Sequence, residues 1–109
     1  MKDMTLREMC TAAGVSRRAV QGYEKAGLVC ASGKSDRGYL LYDAAAQERI
    51  KQISFFRQLG FTVKEIKDII DAPNDILKAA LEDRGERLKE QKLCIECLIS
   101  KTYELIEKL

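Results

Sequence analysis

Histidine is absent from the 109 residues. With it go the commonest general base, the Ser–His and Cys–His nucleophile pairs and the commonest metal ligand. The sequence therefore points away from an enzyme and implies no cofactor. Nor does any apolar run approach the ~18 residues a membrane helix needs. Asp3 and Glu8 stand where a signal peptide would need its apolar stretch. The expected address is the cytoplasm, with no membrane partner, and the four cysteines are expected there as reduced thiols. Proline occurs once, at Pro73, and marks the single plausible break in the chain.

What is present suits one small folded unit. Hydrophobic residues make up 46% and charged residues 33%, the balance of a soluble folded chain. The net charge of +2 hides an asymmetry: residues 1–60 carry ten Lys and Arg against six Asp and Glu, residues 61–109 nine against eleven. A basic first half followed by a mildly acidic second half suits an anionic partner at one end.

Thr5-Leu6-Arg7-Glu8 fits a capping box and predicts a helix to about Ala13, with Leu6, Met9, Cys10 and Ala13 on one face. Gly14 turns the chain. Ser16 caps a second helix, about Arg17 to Ala26, closed by Gly27. Two short helices so joined form a helix-turn-helix candidate. Leu28-Val29-Cys30 and Tyr39-Leu40-Leu41-Tyr42 then read as strands. The turn-rich, basic Ser32–Gly38 segment lies between them, as in an exposed hairpin, or wing. Asp43 caps a third helix to Leu59, with Ile50, Ile53 and Phe56 inward. Thr62-Val63-Lys64-Glu65 opens a fourth, burying Val63, Ile66, Ile69 and Ile70. Phe55, Phe56, Leu59 and Phe61 read as core, and so does Tyr42.

Asn74 or Asp75 caps the last predicted element, a helix running to Leu109. Nothing else in the chain is long enough to cover it. Leu81, Leu88, Ile95, Thr102 and Leu109 recur every seven residues, with Leu98 and Leu105 in the second seam position, which Arg84 and Gln91 interrupt earlier on. The pattern predicts a homodimer. The expected organisation is a domain over residues 1–73 and a dimerisation helix over 74–109.

Four motifs stand in order: Val15-Ser16-Arg17-Arg18; Tyr23-Glu24-Lys25-Ala26-Gly27-Leu28; Arg37-Gly38-Tyr39 with Tyr42; and Leu59-Gly60-Phe61-Thr62 with Glu65-Ile66. Their order and spacing resemble the MerR family of bacterial transcription regulators over about residues 4–72, the last helix matching only in type. The resemblance implies a mainly α fold: a winged helix-turn-helix DNA-binding head followed by a long C-terminal helix in an antiparallel coiled coil. It implies a dimer on a pseudo-palindromic operator in double-stranded promoter DNA, bending and untwisting it so that RNA polymerase elements come into register. Carried over by position, groove contacts fall on Ser16, Arg17, Arg18 and Gln21, with Tyr23 near the backbone, and wing contacts on Lys34, Arg37 and Tyr39. Gln21, Gly22 and Leu40 depart from the family, which usually carries an arginine, an aromatic and an arginine there.

The residue chemistry supports the same sites. Arginine can pair two donors with guanine and glutamine can do likewise with adenine. A helix N-terminus at Ser16 favours a phosphate, and cations on a protruding hairpin neutralise the backbone without reading sequence. An antiparallel pair would centre near Lys92–Ile95. Cys94-Ile95-Glu96-Cys97 supplies two metal ligands where structural zinc takes four, so no metal is expected. Cys94 and Cys97 are the weak candidates, with interface burial the better reading of Cys94. Two rival functions stay open: an architectural or excisionase-like DNA-bending protein, and a protein-interaction adaptor that has lost DNA binding.

Overall fold

The computed structural model describes residues 2–109, and these form two compact units, one running through Asp71 and the other from Ala72 to Leu109. The first unit is built as β1 (Met4–Thr5), α1 (Leu6–Ala13), α2 (Arg17–Lys25), β2 (Gly33–Lys34), β3 (Leu40–Tyr42), α3 (Ala44–Leu59) and α4 (Val63–Ile69); the second is α5 (Asn74–Glu107).

The helix starts follow the side chains that cap them. Thr5 and Glu8 exchange bonds across the α1 N-terminus: Thr5 N–H donates to Glu8 Oε1 at 3.0 Å and Glu8 N–H to Thr5 Oγ1 at 3.3 Å. Thr62 and Glu65 repeat the box at α4. Ser16 Oγ and Asp43 Oδ1 accept the Ala19 and Ala46 amides at α2 and α3. Each cap satisfies a donor that has no partner within its helix. Gly14, at φ 66°, then makes the tight turn from α1 to α2 in a backbone region open chiefly to glycine.

The sheet corrects two sequence expectations. Its order is β1-β3-β2, both pairings antiparallel, with Met4 opposite Tyr42, Thr5 opposite Leu41 and Lys34 opposite Leu40. The hairpin is present, but its first strand is Gly33–Lys34 rather than Leu28–Cys30. Leu28 N–H donates to Tyr23 O at 3.0 Å, holding that segment to the end of α2, and the Leu28 side chain is buried in the core. The ladder begins where the chain is free of the helix, at Ser32 N–H to Leu41 O, 2.8 Å. Tyr39 lies in the turn, outside β3. The sheet also holds β1, two residues long and invisible as a pattern. It ties the start of α1 to the wing.

The first unit has its own core. Met9, Val20, Tyr42, Ala46 and Ile50 pack together, with Leu6, Cys10, Ala13 and Val15 against them. Ile53, Phe56, Phe61, Ile66, Ile69 and Ile70 are also buried, with the Phe56 and Phe61 rings edge-on at 6.0 Å. Phe55, expected in the core, is exposed. It follows Ser54 and precedes Phe56 on α3, and the buried stripe Ile50–Ile53–Phe56 takes the neighbouring face. Cys30 is exposed as well, having no strand to lie in.

In the second unit, α5 is 34 residues long, about 51 Å at 1.5 Å per residue. Its cap differs from expectation: neither Asn74 nor Asp75 serves. Pro73 O accepts the Ile76 and Leu77 amides, each at 3.0 Å, with no side-chain cap. Proline lacks a donor but keeps its carbonyl, so it can open a helix from outside. No residue of α5 is buried. Among the described residues no helix is long and apolar enough to cross a membrane.

Candidate nucleic-acid interface

Helix α2 divides sharply by face. Val20 and Tyr23, three apart, point into the core, while Arg17, Arg18, Gln21 and Lys25 are exposed on the opposite side. That spacing places the cations and the amide next to one another along the helix. Neither Arg17 nor Arg18 has a side-chain partner among the described residues, so both keep their donors for a ligand. Ser16 spends its hydroxyl oxygen on the cap, which leaves the helix start itself as its contribution.

Tyr23 departs from the rest of the expected set. It is 6% exposed, and burial pushes its hydroxyl above the ordinary tyrosine range, partly opposed by Arg57. It serves the core before it can serve a ligand.

Two buried polar anchors hold α2 and the wing. Fully buried Tyr42, on β3, donates its hydroxyl to Glu24 Oε1 on α2. Burial, reinforced by that carboxylate, holds the phenol protonated well above its usual range. Gln47, also fully buried, donates from Nε2 to Tyr42 O and to Lys2 O, both at 2.8 Å. A third fastening comes from Arg49 on α3: its Nε donates to Leu28 O at 2.9 Å, and its two terminal nitrogens clamp Asp71 at 2.8 and 2.7 Å. Sequence reading missed these anchors, because a polar residue on an apolar helix face looks like ordinary surface until its partners are in place.

The wing tip is built for exposure. Ser35 closes it three ways: its amide donates to Tyr39 O at 2.8 Å, its carbonyl accepts from Gly38, and its hydroxyl accepts from Tyr39 N–H at 3.1 Å. Gly38 makes the turn at φ 84°. Lys34, Arg37 and Tyr39 are all exposed, Tyr39 at 60%. Between the wing and the helices lies a cleft of about 580 Å³, walled by Thr5–Arg7, by Arg17 and by Gly38–Leu40. The structure thus brings Arg17 and Tyr39, assigned separately from the sequence, to one opening.

Against known proteins, residues 4–73 match the model of the MerR HTH family of regulatory proteins. The chain belongs to the MerR family. Its relatives include the HTH-type transcriptional activator mta of Bacillus subtilis, 39% identical over 87 residues, which are 80% of this chain and 34% of that protein. The HTH-type transcriptional regulator SkgA of Caulobacter vibrioides is 36% identical over 84% of this chain and 36% of its own length. The chain thus spans about a third of the curated relatives it matches. Among solved structures, the N-terminal part of the Bacillus subtilis multidrug transporter activator, MtaN, superposes with a TM-score of 0.70 at 34% identity, covering 94% of this chain and 97% of that one. The winged helix-turn-helix fold with a long C-terminal helix, expected from the four motifs, is the fold of this MerR-family chain.

In α5, Cys94 and Cys97 are both exposed, and among the described residues no group of three or more metal-binding side chains gathers. Exposed too are Ile95, Leu98, Leu105 and Leu109 of the expected seam, with Ile99, Tyr103 and Ile106 beside them; Leu88 is just exposed and Leu81 half-buried. Thr102 donates its hydroxyl to Leu98 O at 2.8 Å.

Proposed function

We propose that this MerR-family protein regulates transcription as a homodimer that grips a two-fold operator in promoter DNA. The face of α2 carries the reading. Arg17, Arg18 and Gln21 are exposed together on a capped helix whose other face is core, and a wing bearing Lys34, Arg37 and Tyr39 stands beside it. The helix enters the major groove and reads base edges, and the wing neutralises the backbone. The two domains take separate roles: residues 1–73 bind DNA and residues 74–109 dimerise, with Leu81, Leu88, Ile95, Leu98, Thr102, Leu105 and Leu109 along an antiparallel seam. A 34-residue helix bare of any buried side chain supports that division. Two heads held apart by such a pair bend and untwist the duplex between them, which would set promoter elements for RNA polymerase. The site works inside the cell, without chemistry of its own.

The test separates reading from gripping. With an operator selected from random DNA, Arg18→Ala is expected to cost about 1–3 kcal/mol per head and relax base preference, while Arg37→Ala weakens all sequences alike and lowers the salt slope by about one for each head. Uniform weakening by both variants would show that α2 does not read bases. Binding that ignores salt would favour the adaptor reading instead.

A further inference from the structure

We propose that the cleft between the start of α1, the start of α2 and the wing is a seat for a single DNA phosphodiester, clamped by Arg7 together with Arg17; the proposal rests on the DNA-binding reading above. Arg7 belongs to none of the motifs that point to DNA. It enters through the fold. Thr5 is both the last residue of β1 and the cap of α1, so the pairing of Met4 and Thr5 with Tyr42 and Leu41 fixes the first turn of α1 beside the wing strand. That places Arg7, two residues on, in the same cleft wall system as Arg17 and Tyr39.

The electrostatics of the opening are one-sided. Neither Arg7 nor Arg17 has an ion pair or side-chain hydrogen bond among the described residues, and no carboxylate lines the cleft. The nearest acid in sequence, Glu8, is held below the usual glutamate range by the Thr5 amide and so stays an anion, but its carboxylate is tied to that amide and pairs with neither guanidinium. Leu6 and Leu40 supply apolar walls, which keep the field of two guanidinium groups from being dispersed by water. Two planar forks of donors with no internal partner match the oxygens of a phosphodiester. The cleft takes in Arg17 but not Arg18 or Gln21, so its occupant is the backbone flanking each half-site: Arg17, at the edge of the α2 face, turns to that phosphate and leaves base edges to Arg18 and Gln21. Arg7 is a positioning residue: it sets the register of α2 on the duplex and carries no sequence information.

The experiment uses the 109-residue chain and its selected operator duplex. Arg7→Ala, Arg7→Lys and a control, Lys64→Ala at an exposed position of α4, are titrated across a range of salt. A second duplex series carries a neutral methylphosphonate at one backbone position at a time. The expected result is a roughly tenfold loss for Arg7→Ala with unchanged base preference, and a salt slope lower by about 0.9 for each head's lost phosphate contact. Arg7→Lys retains most of that slope. One methylphosphonate position per half-site weakens the wild type markedly more than it weakens Arg7→Ala, in which Arg17 alone still holds that phosphate. The proposal is overturned if Arg7→Ala behaves like Lys64→Ala, or if every methylphosphonate affects wild type and variant equally. Failure of the wild type to bind any duplex at low salt overturns the DNA-binding reading, and this proposal with it. Arg7 is exposed, so a folded variant is expected, and an unchanged melting curve confirms that the loss is one of contact.

Discussion

The head and the long helix use the same kinds of residue to opposite ends. In the head, isoleucines at 50, 53 and 66 are wholly buried, and so are Met9, Val20 and Tyr42. In α5, isoleucines and leucines of equal size lie open from Leu93 to Leu109. The head's apolar faces come from short elements set in a tight sequence of caps and turns, so each finds a neighbour within the same chain. The α5 stripe repeats every seven residues from Leu81 to Leu109, about 42 Å, and no residue of α5 is buried. One region completes its core alone; the other leaves its apolar side chains exposed. Surface ion pairs such as Arg87–Asp83 at 3.2 Å and Lys89–Glu86 at 3.2 Å decorate that helix, but pairs so exposed contribute little.

Breaking the long helix's side of the contrast gives the largest expected effect. The double variant Leu98→Lys, Leu105→Lys is expected to sediment as a monomer and to lose operator affinity by about 100-fold or more, because two heads no longer bind as one. Its head should melt as before. Breaking the head comes next. Ile50→Ala opens a cavity in the buried cluster and should cost about 2–5 kcal/mol in a denaturant titration followed through the head, while the α5 association survives.

Acid sharpens the comparison further. Glu8, Asp43 and Asp71 all have carboxyls held below their ordinary values: Glu8 by the Thr5 amide, Asp43 by the Ala46 amide and the Ser32 hydroxyl, and Asp71 by the Arg49 guanidinium. All three lie in the head. Their folded values lie below the unfolded ones, so the stability they lend is complete above the usual carboxylate range near pH 4 and drains as pH falls through the lowered values. Head melting should therefore fall on acidification through that window, and Asp71→Asn should flatten part of the slope. The smallest effect is a gain. A side chain at Gly22 would meet nothing within 4 Å, so Gly22→Ala should raise head stability by about 1 kcal/mol.

Where local chemistry dictated structure, the sequence could be read closely. Both capping boxes, the Ser16 and Asp43 caps, and the bounds of α1 and α3 follow from side chains within four residues of the features they set. The motifs that carry the family resemblance lie on these same elements. Legibility failed where a distant partner decides. The Leu28–Cys30 run looks like a strand, but its backbone is claimed by Tyr23 O. β1 is too short to show a period and exists because β3 pairs with it. Phe55 is as apolar as Phe56 and differs only in the face it takes. The site shows the same division. Arg17, Arg18, Gln21 and the wing residues were assigned from sequence and are exposed, whereas Tyr23 is buried. Arg7, Gln47 and Arg49 lie in no motif that points to the site, and Glu24, though inside the Tyr23–Leu28 motif, had no role assigned there, since each takes its meaning from a residue brought near by folding.

The decisive measurement is a footprint of the purified chain on its selected duplex, read together with the stoichiometry of the complex. Two protein chains per duplex, protecting two inverted half-sites whose centres lie one helical turn (~34 Å) or a multiple apart, are the predicted result. A single chain protecting one undivided site would contradict the account.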